Sequence, residues 1–151
     1  MVLNPETSPY LDTKADIIYV KSQKLPVNIH PLGCLTKEAK SKELADLYEM
    51  YESGAVGFYD FKKPLLNPNL LKIALQYVQN FDGLILSFPF EKSLCPDGQM
   101  HEGTVSTNYG LKGISSLSEE LMLKRDLKIL EYTGGKTVSY THLRAHETGY
   151  N

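Results

Sequence analysis

An α/β fold is what this sequence predicts, and three observations predict it. Short apolar runs recur along the chain, most clearly at 55–59 (AVGFY) and 84–87 (LILS), and they are apolar on both faces, as strands buried between two layers are. The stretches between them place apolar residues at helical spacing, so the strands are joined by helices and pair in parallel through right-handed crossovers. Two closures satisfy that alternation, an open doubly wound sheet and a barrel. No Gly-x-Gly-x-x-Gly follows a strand and no Walker motif is present, so the nucleotide-binding forms of the open sheet lose their main signature.

The elements follow in order. Asp12 is placed to cap a helix reaching about Ser22, with Ala15, Ile18 and Val20 among its apolar positions. Residues 25–32 form a short extended run around Pro26 and Pro31. Thr36 is an N-cap candidate for a helix over 37–52, in which Leu44, Leu47, Tyr48 and Tyr51 stand at i, i+3, i+4 and i+7 and predict one buried stripe. Gly54 ends that helix, and the apolar run 55–59 is the next strand. Asn67-Pro68 is an N-cap followed by proline at the first helical position, and the helix it starts runs to about Gln79 with Leu70, Leu71, Ala74, Tyr77 and Val78 inward. The strand 84–87 follows Gly83. Residues 88–115 read as a long loop punctuated by Gly98, Gly103, Gly110 and Gly113, a length that is usually functional or poorly ordered. Ser116-Leu117-Ser118-Glu119 is a capping-box pattern for a last helix to about Tyr132.

Composition narrows the function classes. With 151 residues, 42% of them hydrophobic, the chain has enough apolar surface for one domain core. Its 16 Lys+Arg against 18 Asp+Glu leave a net charge of −2, which gives no reason to expect nucleic acid as a partner. No apolar run approaches the roughly 18 residues of a membrane span, and no basic region leads into an apolar stretch at the N-terminus. Cys34 and Cys95 are far apart, which fits free thiols in a reducing, cytoplasmic setting.

Residues 138–151 break the pattern. After Gly134-Gly135 a strand is due, yet a polar run without clear period follows. VSYTHLRAHET, residues 138–148, resembles one reading frame of a transposase sequencing adapter, so the expected division is a native part, 1–137, and a non-native tail, 138–151. The four-residue spacing of His142 and His146, which on a helix would suit a metal, falls in that tail.

The remaining residues resemble a known family. Asp12-Thr13-Lys14-Ala15-Asp16, then IHPLGCLTKEAKSKELADLYEMYESGAVGFYDFKKP, LILSFPFEKS, GQMHEGTVSTNYGLKGISSLSEEL and RDLKILEYTGG are similar, in order and spacing, to the dihydroorotase branch of the cyclic amidohydrolases. That resemblance implies a partial (β/α)8 barrel of about three to four βα units, with the active site at the C-terminal rim of the strands. It implies zinc, which activates the water that opens a cyclic amide, interconverting dihydroorotate and carbamoyl-aspartate in pyrimidine biosynthesis. It also implies a small-molecule substrate, and aspartate transcarbamoylase or a second copy of the chain as partners.

Site residues come from the resemblance position by position. The family's His-x-His entry motif has no counterpart in the chain. Its Pro-Asn-Thr-x-Pro motif falls on Pro5-Glu6-Thr7-Ser8-Pro9, which puts Glu6 at the substrate-binding asparagine position, where a carboxylate would repel an acidic substrate. Phe58-Tyr59-Asp60-Phe61-Lys62 stands where the family often shows Phe-Ser-Asp-Asp-Gly, leaving Asp60 as the candidate metal ligand. Ser87 is matched to a family zinc-binding histidine, and a serine hydroxyl is a poor zinc ligand at neutral pH. His101 reads as a solvent-exposed loop residue and His30 as a core or rim histidine. No catalytic residue is assigned. The expectation is an inactive, marginally stable piece of a barrel, the alternative being a degenerate paralogue with a scaffold role.

Overall fold

The computed structural model describes residues 1–139. Five extended segments lie side by side in the order of the sequence. β1 (Val2–Leu3) pairs in parallel with β2 (His30–Pro31). Gly33, just past β2, bridges in parallel to Phe58, and Phe58 bridges in parallel to Ile85. Ile85 opens β3 (Ile85–Ser87), which pairs in parallel with β6 (Thr137–Ser139). A doubly wound sheet reverses its strand order part-way; a barrel wall adds each strand beside the last. The observed winding is the second kind.

Helices cross over between these strands and cover one face. α1 (Lys14–Ser22) follows β1, α2 (Leu47–Glu52) follows β2, α3 (Pro68–Val78) precedes β3, and α5 (Leu117–Thr133) precedes β6. The main core joins Ile17, Leu47, Met50, Leu71, Ala74, Leu75 and Val78 from the helices to Phe58 and Ile85 from the strands. Strand residues alternate between faces, so Leu32, Tyr59 and Leu86 form a second, smaller cluster on the opposite, inner face, with Phe61, Leu84 and Phe88 against it. Gly57 is needed there: a Cβ would lie 3.0 Å from Leu86 Cδ1 and 3.2 Å from the Leu84 carbonyl oxygen.

The local chemistry explains where the elements start, and where they depart from the sequence reading. α3 is as expected: the Asn67 side chain accepts from the amides of Asn69 and Leu70, and Pro68 is the first helical residue. Tyr77, expected inward, is 43% exposed, and Leu75 is buried instead. α1 is capped one residue later than expected, by Thr13, whose hydroxyl accepts from the Asp16 amide while the Asp16 carboxylate accepts from the Thr13 amide. Asp12 turns to the Glu38 amide. The helix expected over 37–52 survives as a turn of 3-10 helix, Lys37–Ala39, and as α2. Glu38 and Ala39 within that turn and Ser41 just beyond it take left-handed backbone conformations, and Thr36 bridges antiparallel to Leu44. The expected stripe is accordingly wrong: Leu47 and Met50 are buried, while Tyr48 is 48% and Tyr51 37% exposed.

The region read as a structureless loop, 88–115, contains a 3-10 turn, Lys92–Leu94, then β4 (Met100–His101), α4 (Thr104–Asn108) and β5 (Gly113–Ile114), with β4 and β5 parallel. These pieces are too short for periodicity to reveal. Beyond Gly134-Gly135 the structure does supply a strand. β6 takes in Val138 and Ser139, anchored by the Ile85 amide donating to the Lys136 carbonyl and the Thr137 hydroxyl donating to the Ile85 carbonyl. His142, His146 and the rest of 140–151 lie outside the described residues.

Candidate functional site

The C-terminal ends of parallel strands gather Glu6, Tyr10, Leu35, Thr36, Asp60, Lys63 and Ser87 on one rim. Asp60 is its centre. The ladder between β2 and residues 56–59 runs through the Gly33 amide donating to the Gly57 carbonyl and the Tyr59 amide donating to the Gly33 carbonyl. Its next rung is made by a side chain: the Leu35 amide donates to Asp60 Oδ1 (2.8 Å), as does the Thr36 amide (2.9 Å). The Thr36 hydroxyl donates to Asp60 Oδ2 (2.5 Å) and accepts from the Ser41 amide (3.0 Å). Asp60 is 4% exposed and Thr36 is fully buried. Burial pushes the Asp60 carboxyl up, and the bonds from Thr36 and Leu35, with the Lys63 charge, act against that rise.

Lys63 reaches the same rim. Its ammonium donates to the Tyr10 hydroxyl (3.0 Å) and sits 4.8 Å from the Tyr10 ring centre. That hydroxyl raises the Lys63 pKa, with smaller contributions from Glu6 and Asp60. Glu6 itself is exposed. Ser87 is buried, and its hydroxyl donates to Asp126 Oδ2 of α5 (2.5 Å). Asp126 Oδ1 is held by Arg125 (2.6 Å), which also donates to the Leu65 carbonyl oxygen (2.8 Å). His30 opens β2, at the end opposite the rim, and is exposed; His101 is in β4 and exposed, as expected.

The structure therefore brings Glu6, Asp60 and Ser87 to one rim and leaves His30 and His101 off it. Sequence reasoning missed Thr36, Arg125 and Asp126. A signal for the last existed: Ser118, Glu119 and Asp126 are buried polar positions of α5, and a carboxylate among buried helix positions requires a partner.

The rim residues do not fit a zinc ion. A zinc site needs three or four N, S or O donors; Asp60 already accepts three hydrogen bonds, two on Oδ1 and one on Oδ2, and the Ser87 hydroxyl donates to Asp126. Among the described residues no group of three or more His, Cys, Asp or Glu is placed to hold a metal. The space between Asp60, Lys63, Leu65 and Ser87 is about 10 Å³, room for a single water at most.

Comparison with known proteins bears on the sequential winding. The Dihydro-orotase-like family model matches residues 3–147. The chain belongs to the dihydroorotase-like family. It is 42% identical over 134 residues to the dihydroorotase of Pelotomaculum thermopropionicum, covering 87% of this chain and 31% of that protein. Against the dihydroorotase of Geobacter sp. the identity is 39% over 134 residues, 86% of this chain and 31% of the relative. The chain thus spans about a third of the length of these curated relatives. The L-hydantoinase (dihydropyrimidinase) of Arthrobacter aurescens superposes with a TM-score of 0.65 at 16% identity, over 91% of this chain and 33% of that one. At that identity the likeness shows a shared fold. No described helix is long and apolar enough to cross a membrane.

Proposed function

We propose that residues 1–137 are the central part, three to four βα units, of a cytoplasmic dihydroorotase-like cyclic amidohydrolase, and that the 151-residue chain alone opens no cyclic amide. The observation that carries this is the parallel strands laid down in sequence order, with the matched motifs Pro5–Pro9, Asp60 and Ser87 on their shared C-terminal rim. In the full protein the substrate would be a cyclic amide such as dihydroorotate, with zinc supplying the activated water. The resemblance of residues 138–148 to an adapter reading frame supports a non-native tail, although the family match runs on to residue 147. Resequencing the locus from intact DNA tests this; the same codons after position 137 would overturn the tail.

A second reading is favoured by the engaged state of Asp60 and Ser87. The parent would then be a paralogue without metal ligands, acting as a scaffold beside aspartate transcarbamoylase or as a homo-oligomer. Zinc content and dihydroorotate ring opening, measured on the full-length parent, separate the two. Stoichiometric zinc with turnover upholds the hydrolase. A folded parent with neither, which co-elutes with the transcarbamoylase, upholds the scaffold.

A further inference from the structure

The rim carboxylate and the rim hydroxyl share a placement that bears on what these strand ends are for. Side chains that could ligate a metal inside a barrel must point to its inner face, the face of Leu32, Tyr59 and Leu86. At the two central strand ends that face is held by Phe61 and Phe88, with the Tyr59 and Phe61 rings 5.9 Å apart. Neither phenylalanine ring can donate a lone pair to zinc, and the Tyr59 hydroxyl accepts from the Lys62 amide (3.3 Å). The polar residues beside them are turned elsewhere. Asp60 lies along the sheet toward its neighbouring strand, and Ser87, on the same face as Ile85, points into the helix layer at Asp126.

We propose that Asp60 is a backbone clasp and not a metal ligand: its carboxylate extends the parallel ladder past Gly33, fixes the turn at 35–41 through Thr36, and leaves an aromatic inner rim. The clasp sits where the backbone needs one. Glu38, Ala39 and Ser41 on one side of it and Phe61 and Lys62 on the other all have positive φ, between 35° and 55°, a conformation non-glycine residues keep only when their surroundings impose it. Three donors on one buried carboxylate supply that imposition.

This inference rests on the barrel reading for its inner face, but its test is independent of catalysis. Asp60→Asn and Thr36→Val would be made in the 151-residue chain. Each protein is incubated with zinc alone and desalted, and metal per chain is counted by mass spectrometry. Amide hydrogen exchange is followed at Leu35 and Thr36. The expected result is far less than one zinc per chain in the parent sequence and in both variants, with exchange at the two amides accelerated at least tenfold in each variant. One zinc per chain that Asp60→Asn removes and Thr36→Val retains would overturn the clasp, as would unchanged exchange in both variants. If Asp60→Asn does not fold, Thr36→Val decides, because it leaves the carboxylate in place and removes only one of its donors. Failure of the family reading would show instead as a parent protein lacking the barrel, whatever these amides do.

Discussion

Lys62 is where the rim's backbone and its side chains disagree. It occupies the position at which the resemblance often places a glycine, and its φ is +43°. A left-handed conformation costs a residue with a Cβ roughly 1–2 kcal/mol, part of which glycine returns through its freer unfolded chain. Lys62→Gly is therefore expected to raise stability by about 0.5–1 kcal/mol, seen as a higher urea midpoint at unchanged slope. A lower midpoint would mean that the contact of the Lys62 ammonium with the Phe61 ring, 5.3 Å from its centre, outweighs the backbone. Cys34 makes a second residue-scale case. It is fully buried, and burial, reinforced by the Asp60 and Asp12 carboxylates, pushes its thiol up to about 12. The native thiol stays neutral while the unfolded one ionises near its ordinary value of 9.0. Stability from this group is thus complete below about pH 9 and is lost as the pH climbs toward 12. With a disulfide reagent at pH 8, Cys95, which is partly exposed, should react promptly and Cys34 only after denaturant is added. Equal rates for both would contradict the burial.

At the scale of elements, side-chain chemistry decided more than periodicity did. α3 was largely legible because Asn67-Pro68 states its start and Leu70, Leu71, Ala74 and Val78 state its inner face, though Leu75 is buried where Tyr77 was expected. Its cap gives a clean prediction: Asn67→Ala removes the acceptor for the Asn69 and Leu70 amides and should cost about 1 kcal/mol. Asn67→Asp should hold that loss to a few tenths, since aspartate caps equally well; thermal or urea unfolding reads both. The stretch 37–46 was not legible. Its helical spacing is real, but Thr36 gives its hydroxyl to Asp60 across 24 residues, and no local pattern announces so distant a competitor. Much the same holds for the site. The rim positions of Glu6, Asp60 and Ser87 followed from the resemblance, whereas the directions of the Asp60 and Ser87 side chains depended on Leu35, Thr36 and Asp126, whose roles appear only once the strands are side by side. Two-residue strands such as β4 and β5 lie below any periodic signal, so the segment 88–115 looked empty in sequence and carries structure in space.

For the whole molecule, the open question is what its two outermost strands do. Among the described residues, β1 has β2 as its hydrogen-bonded neighbour and β6 has β3. The β1 ladder leaves groups over. The His30 amide donates to the Met1 carbonyl and the Leu32 amide to the Leu3 carbonyl, so in a parallel pair the N–H and C=O of Val2 point away from β2. Val2 is also 61% exposed. An apolar strand presenting free donors and acceptors is a template for another chain, and a net charge of −2 offers little repulsion between copies. Self-association that grows with concentration is expected, measured as a rising mass by light scattering between about 10 and 100 μM. Because pairing is by backbone and apolar contact, added salt should not dissolve it, as it would an assembly held by exposed charges. Val2→Pro tests the route. Proline removes the outward N–H without touching the His30–Met1 or the Leu32–Leu3 hydrogen bond, since neither of these uses the Val2 amide. The variant should remain monomeric at concentrations where the parent chain associates; equal association of the two would show that copies meet elsewhere, at the β6 edge or through the exposed side chains of α1 such as Ile18 and Tyr19.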